Sequence, residues 1–204
     1  MFLAFEGIDG VGKSTQMSLL ADYMRDRHGT DVLTLQEPGG TELGEHVRSL
    51  VLDPDHGPLE ASTEVFLFMA ARSHLVDMRI RPALREGRTV LCDRFLWSSV
   101  VYQGIVGGLG VQAVLDMGRV ATGGTMPDRT FLFDISVSEA SKRKTGREAV
   151  DRIEGKGDEF QEKLRVGFLQ LAREFPEDIV IVDAGGSEDE VQQRLRTEVE
   201  KLLA

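Results

Sequence analysis

Gly7-Ile8-Asp9-Gly10-Val11-Gly12-Lys13-Ser14 spaces two glycines, a lysine and a hydroxyl in the pattern of a loop that wraps phosphate. A side chain at the glycines would hold the backbone away from phosphate oxygens and block the dihedrals the loop needs. Successive N–H groups then form an anion nest, and a helix that follows aims its positive end at the same anion. Lys13 is placed to reach outer phosphates, and the Ser14 hydroxyl is placed to ligate Mg²⁺. The competing reading is a chance Gly-rich turn. It does not account for an apolar, strand-like run before the loop (Phe2 to Phe5) and an apolar helical stripe after it (Met17, Leu19, Leu20, Tyr23, Met24).

Three other stretches carry chemistry-bearing residues. Glu37-Pro38-Gly39-Gly40-Thr41 is a second Gly-rich turn; Thr41 is suited to cap a helix that carries Arg48. Arg48 is either a second anion site or a solvated helix charge. Asp93-Arg94-Phe95 ends an apolar run, as a Walker-B carboxylate does when it holds Mg²⁺ directly or through water. The planar fork of Arg94 suits two phosphate groups, and the plainer reading is an Asp–Arg surface pair. Lys142, Arg143, Lys144, Arg147 and Arg152 form a basic stretch in an acidic chain. It reads as a solvated helix face or as a lid that carries arginine onto a transferring phosphoryl group. Asp9 faces a sugar hydroxyl or a cationic partner, or simply favours the turn. Phe68 and Arg72, four apart, share a helix face that suits either a base or the core.

The elements that must position these residues are an alternation of strands and helices. Val32–Leu35, Thr89–Cys92, Thr130–Phe133 and Ile179–Val182 join the first run as short β-rich strands of the kind covered on both faces. Helical patterns fill the gaps, so the expected fold is α/β with a five-stranded parallel sheet. His28-Gly29 marks a helix stop, and Ser136/Glu139 and Ser187/Glu190 have capping-box spacing. The pattern from Ser62 to Glu86 is one long helix that Pro82 must kink or split. Phe160, Leu164, Phe168, Leu171 and Phe175 mark another helix, stopped by Pro176, and Val191, Leu195, Val199 and Leu202 mark the last. Ligands of such sheets bind beyond the carboxyl ends of the strands, where the four stretches fall.

Composition narrows the partners. The 204 residues fit a single domain with a lid at about 142–154, and 41% hydrophobic content supports a core. A net charge of −10 argues against nucleic acid or an anionic membrane, so anionic ligands need local positive clusters. One cysteine, Cys92, precludes an intrachain disulfide and suits a reducing compartment. No secretory h-region or membrane-length apolar run is present, which points to a cytoplasmic protein.

Nearly end to end, these motifs resemble the thymidylate kinase family. The resemblance rests on the phosphate loop, Glu37-Pro38-Gly39-Gly40-Thr41, Arg48, Phe68-Met69-Ala70-Ala71-Arg72, Asp93-Arg94-Phe95, Tyr102-Gln103-Gly104 and Asp151-Arg152-Ile153-Glu154. It implies a P-loop kinase fold, a homodimer formed through helices such as Ser62–Glu86, and phosphoryl transfer from ATP to dTMP with Mg²⁺. By the same resemblance, Gly7, Gly10, Val11, Gly12, Lys13, Ser14 and Thr15 bind ATP, with Arg143 over the adenine and Ala184 in its loop. Ser14 and Asp93 hold the metal. Asp9 takes the acceptor 3′-hydroxyl, and Arg48 and Arg94 its phosphate. Phe68 stacks on thymine, Arg72 bonds its exocyclic oxygen, and Glu37, Pro38, Ser99 and Gln103 complete the pocket. Tyr102 crowds the 2′ position and favours deoxyribose. Relatives usually carry Tyr or His where Phe95 stands. Other members place a catalytic arginine inside the phosphate loop; Gly10 and Val11 stand there in this chain, which implies the bacterial type with arginine delivered by the lid. Arg147 is then the catalytic lid residue beside Lys13 and Arg94, with Arg152 supporting. The alternatives are a P-loop kinase for another (deoxy)nucleoside monophosphate, or a nucleotide-binding regulatory switch, which needs no second substrate pocket.

Arg147→Ala is expected to lower kcat by roughly a thousandfold or more, as loss of an arginine finger does. Steady-state turnover within about tenfold of wild type would remove Arg147 from the mechanism.

Overall fold

The computed structural model describes residues 1–144 and 152–203. Five parallel strands form one sheet: β1 (Phe2–Glu6), β2 (Val32–Gln36), β3 (Thr89–Asp93), β4 (Arg129–Asp134) and β5 (Ile179–Asp183), in the order β2-β3-β1-β4-β5. Each apolar run read from the sequence is a strand, extended by a polar residue at its carboxyl end. Those added residues, Glu6, Gln36, Asp93, Asp134 and Asp183, sit at the edge where ligands of parallel sheets bind.

Every position of β1 and β3 is buried, so both faces of the sheet's centre are covered. The edge strands differ from the expectation. Thr34 and Gln36 of β2, and Ile181 and Asp183 of β5, are exposed. An edge strand has a neighbour on one side only, and the helices cover it incompletely.

Helix α1 (Lys13–His28) follows the phosphate loop and ends at Gly29, whose left-handed φ of 62° closes the last turn. Gln16, Leu20, Ala21 and Met24 form its buried face, and it packs beside α9 (Glu188–Leu203). Helix α2 (Glu42–Leu52) is capped by Thr41, whose hydroxyl accepts from Gly44 N–H at 3.0 Å. The long Ser62–Glu86 pattern is split. Helix α3 (Ala61–Leu75) opens into a π-helical segment, Val76–Ile80, before α4 (Arg81–Arg85). Pro82 offers no N–H and crowds the preceding turn, and a wider turn accommodates it. Helix α5 (Leu96–Ser99) runs directly into a second π-helical segment, Val100–Val106, which carries Tyr102 and Gln103. Helix α6 (Val111–Thr122) packs on α3, α7 (Val137–Lys144) follows β4, and α8 (Gly157–Glu174) lies against β4 and β5.

The Ser187–Glu190 box is reciprocal: Ser187 N–H donates to Glu190 Oε2 at 2.8 Å, and Glu190 N–H to Ser187 Oγ at 3.3 Å. In the other box, Glu139 N–H donates to Ser136 Oγ at 3.3 Å and the Ser136 hydroxyl to Glu139 Oε2 at 2.7 Å. Phe2, Phe5, Phe131 and Phe133, all fully buried, fill the middle of the core. The parallel pairing of β1 with β3, with Phe5 opposite Asp93, sets the carboxyl ends of the two strands side by side.

Candidate active site

A cleft of about 690 Å³ opens at those carboxyl ends. It gathers residues from all four stretches singled out in the sequence. The phosphate loop contributes Asp9 to Thr15; the second Gly-rich turn contributes Glu37 and Pro38; α2 and α3 contribute Arg48, Phe68 and Arg72. Asp93, Arg94, Ser99, Tyr102 and Gln103 come from β3 and the helical segments after it, and Arg143 comes from α7.

Lys13 is only 7% exposed, and its ammonium donates to the carbonyls of Gly7 and Ile8 at 3.1 and 3.0 Å. Burial, reinforced by the charge of Arg94, lowers its pKa to about 8, against the pull of Asp93, Asp9 and Glu6. Gly7 does not line the cleft. It is glycine because a Cβ there would lie 2.5 Å from the Phe133 carbonyl oxygen, at a φ of 136°. The Ser14 hydroxyl donates to Asp93 Oδ2 at 2.6 Å. Two hard oxygen ligands therefore stand together at the head of α1, a donor set that fits Mg²⁺ arriving with phosphates.

Arg94 adopts a left-handed φ of 68°, which β-carbon sterics disfavour. Its guanidinium donates to Asp9 Oδ1 at 2.5 Å and to Ser98 Oγ at 3.1 Å, and it lies 5.4 Å from the Tyr102 ring centroid. Asp9 thus has a cationic partner. Glu6 holds the turn beneath. Its carboxylate accepts from Phe95 N–H at 2.9 Å, Ser98 N–H at 3.0 Å and the Ser98 hydroxyl at 2.5 Å. Burial pushes its pKa up, while Arg94 and these bonds pull it down. Glu6 and Ser98 were not singled out in the sequence, although an acid closing an apolar strand was the available signal for Glu6.

Arg72 is buried and held by four bonds, to Glu37 Oε2 (2.7 Å), Ser99 Oγ (3.1 Å), Met69 Sδ (3.3 Å) and the Phe95 carbonyl (3.1 Å). Nη2 retains one further N–H. Burial raises the Glu37 pKa to about 7 against the opposing charge of Arg72. Phe68 lines the same wall, so the Phe68–Arg72 face belongs to a pocket as well as to the core. Arg48 donates to the Pro38 carbonyl at 3.0 Å.

At the opposite end, Arg143 donates to the Ala184 carbonyl at 3.0 Å and reaches the Val11 carbonyl at 3.4 Å. Ala184 itself is buried and acts through that carbonyl. Gln16 Nε2 donates to the Glu188 carbonyl at 2.9 Å, tying α1 to the start of α9, whose first residues line the cleft. No motif in the sequence marks Gln16. Arg152 is not among the lining residues. It donates through Nε to the Val51 carbonyl at 2.8 Å and through Nη2 to Glu64 Oε1 at 2.5 Å. Arg147 and Asp151 lie outside the described residues.

A phosphate loop that shares one cleft with a wall of Phe68, Arg72, Tyr102 and Gln103 has the layout of a nucleoside monophosphate kinase of the P-loop class. A sequence profile described as thymidylate kinase matches residues 5–195. A thymidylate kinase of Symbiobacterium thermophilum is 45% identical across 100% of this chain and 94% of its own length. One from Desulfosudis oleivorans is 44% identical across 99% and 97%. The crystal structure of thymidylate kinase from Ehrlichia chaffeensis superposes with a TM-score of 0.77 at 31% identity, covering 100% of this chain and 98% of that one. The chain belongs to the thymidylate kinase family.

Burial lowers the Lys13 pKa to about 8, and only the charged ammonium attracts an anion such as phosphate. ATP affinity should therefore weaken about tenfold between pH 7 and pH 9, with proton uptake on binding above pH 8. Calorimetry in buffers of different ionisation enthalpy reads that uptake; a value of zero at pH 8.5 would show that Lys13 stays charged in the free enzyme.

Proposed function

We propose that this cleft catalyses ATP + dTMP → ADP + dTDP by holding the two nucleotides end to end across the phosphate loop. The observation that carries the reading is the Arg94 turn, which stands between the loop at Asp9 and the pocket at Tyr102. Lys13 and the loop amides hold the outer phosphates of ATP. Arg143 and the Ala184 loop take the adenine end. Asp93 and Ser14 hold Mg²⁺, which supplies neutralisation of phosphate charge when bound. Arg48 and Arg94 orient the acceptor phosphate in line, and Asp9 takes the 3′-hydroxyl. Phe68 stacks on thymine, while Arg72, Ser99 and Gln103 face its polar edge, and Glu37 and Pro38 form the turn beside it.

The acceptor oxygen is already ionised at neutral pH, so positioning and charge neutralisation do the catalytic work. The chain acts as a single domain whose segment 142–154 closes as a lid; it brings Arg147 to the transferring group and excludes water. Arg152 supports the lid from its far end, where Glu64 and the carbonyl of Val51 hold it. A regulatory switch has no use for the Phe68–Arg72–Tyr102 wall.

The same reading makes the enzyme cytoplasmic, consistent with one buried cysteine and with no described helix long and apolar enough to cross a membrane. It also makes it a homodimer. Leu43 and Leu50 of α2 and Phe66 of α3 are exposed apolar side chains on two helices packed together. Sedimentation at micromolar concentration should give twice the 22.6 kDa chain mass, and monomer alone would rule the dimer out.

An ADP-release panel across nucleoside monophosphates tests the substrate assignment, with dTMP expected to be preferred. Tyr102→Ala should narrow the dTMP-to-ribothymidylate ratio of kcat/KM, because the ring's bulk excludes the 2′-hydroxyl. An unchanged ratio would move sugar discrimination elsewhere.

A further inference from the structure

Gln103 is 1% exposed and lines the cleft. Its Nε2 donates to Glu64 Oε2 at 2.9 Å, whereas its buried Oε1 has no hydrogen-bond partner among the described residues. A buried amide oxygen left unpaired costs about 1–3 kcal/mol, so this one is poised for a donor. Glu64 is itself 5% exposed and both of its oxygens are engaged, the other by Arg152 at 2.5 Å. A carboxylate paired with a guanidinium only accepts hydrogen bonds. It therefore forces Gln103 to present its NH₂ to Glu64 and its oxygen away from it. Arg152 is anchored in turn by its own N–H to the Leu52 carbonyl at 3.0 Å and by Nε to the Val51 carbonyl.

We propose that Glu64 is a positioning residue that fixes the Gln103 amide so that its oxygen meets a ring N–H of the acceptor base, and thereby selects thymine over cytosine. This rests on the acceptor-pocket assignment above. Thymine carries a proton on N3 and donates to Gln103 Oε1. Cytosine has a lone pair at N3 and sets it against the same oxygen. Without the carboxylate, the amide is free to turn over and offer its NH₂ to the cytosine nitrogen. The relay Arg152–Glu64–Gln103 also makes the far end of the lid part of base recognition.

The test compares kcat/KM for dTMP and dCMP in wild type, Glu64→Gln, Gln103→Leu and the double variant. Glu64→Gln keeps the volume but supplies an amide that either donates or accepts. The expected result is a dTMP-to-dCMP ratio narrowed at least about tenfold, mostly through KM. The double variant should show no narrowing beyond that of Gln103→Leu, since Glu64 acts through Gln103. Two results would overturn the proposal: equal losses for both nucleotides with the ratio unchanged, or a narrowing by Glu64→Gln that persists in full on the Gln103→Leu background. Wild type with no preference for dTMP would instead remove the pocket assignment, and that result needs no variant. If Glu64→Gln alone does not fold, Glu64→Gln combined with Arg152→Gln also removes the guanidinium left unpaired and carries the same two-way reading in the dTMP-to-dCMP ratio.

Discussion

A carboxylate with almost no access to water closes the central strand. Glu6 is 1% exposed, and its oxygens meet two backbone N–H groups and a hydroxyl from the turn 89 to 92 residues further along the chain. Taking a carboxylate out of water costs several kcal/mol unless hydrogen bonds replace the lost hydration. The turn after β3 supplies them and is locked in return. Arg94 sits within that turn in a left-handed conformation that costs about 1–2 kcal/mol for a residue with a β-carbon. Strain of that size persists where the surroundings over-determine the backbone. The bonds to Glu6 do so, and they aim the Arg94 guanidinium at Asp9 rather than at solvent. How the phosphate loop at Asp9 faces the Tyr102 wall depends on that tie between β1 and the end of β3.

Charge in the cleft follows the same logic. The chain is acidic overall, yet Lys13, Arg48, Arg72, Arg94 and Arg143 converge on one cavity. Each is already held: Lys13 and Arg48 by carbonyls, Arg72 by Glu37, Arg94 by Asp9, Arg143 by the Ala184 carbonyl. Dipoles fixed before substrate arrives need little reorganisation as charge moves in the transition state. The buried acids also keep the cluster of like charges from repelling itself apart. Lys13 shows the balance, since burial and Arg94 depress its pKa while Asp93, Asp9 and Glu6 restore part of it.

How much of this was legible in the sequence depended on how local each signal was. The strands, the phosphate loop and Asp93 could be read because a β-rich run and the residue that ends it lie within six positions. Burial of those runs could not be graded, since Ile181 in an edge strand and Leu91 in a central one look alike in sequence, yet the first is exposed and the second buried. Pro82 announced a break but not its form; the π-helical turn before it comes from the need to pass a ring without losing the helix axis. The second π segment carries no comparable marker, although it sets the facing of Tyr102 and Gln103. Glu6 and Glu64 act across 92 and 39 residues, on Ser98 and Gln103, and no periodicity reports such pairs. Glu64 reads as an ordinary charge in the first turn of α3 until the fold buries it.

Phe95 shows how an apolar ring can serve a turn that is otherwise polar. A ring with a polar tip there would bring a hydrogen bond that phenylalanine lacks. In this chain the polar work at position 95 belongs to the main chain: its N–H donates to Glu6 and its carbonyl accepts from Arg72. The ring is fully buried, meets Phe2 edge-on at 5.1 Å and lies 5.4 Å from the Arg72 guanidinium carbon. Its negative face thus supports the same arginine whose Nη2 the carbonyl holds. Side chain and backbone at one position converge on Arg72, so what this residue contributes is the placement of a buried cation. A hydroxyl or imidazole at that depth would need a partner of its own. The apolar ring needs none, and the pocket keeps its geometry without one.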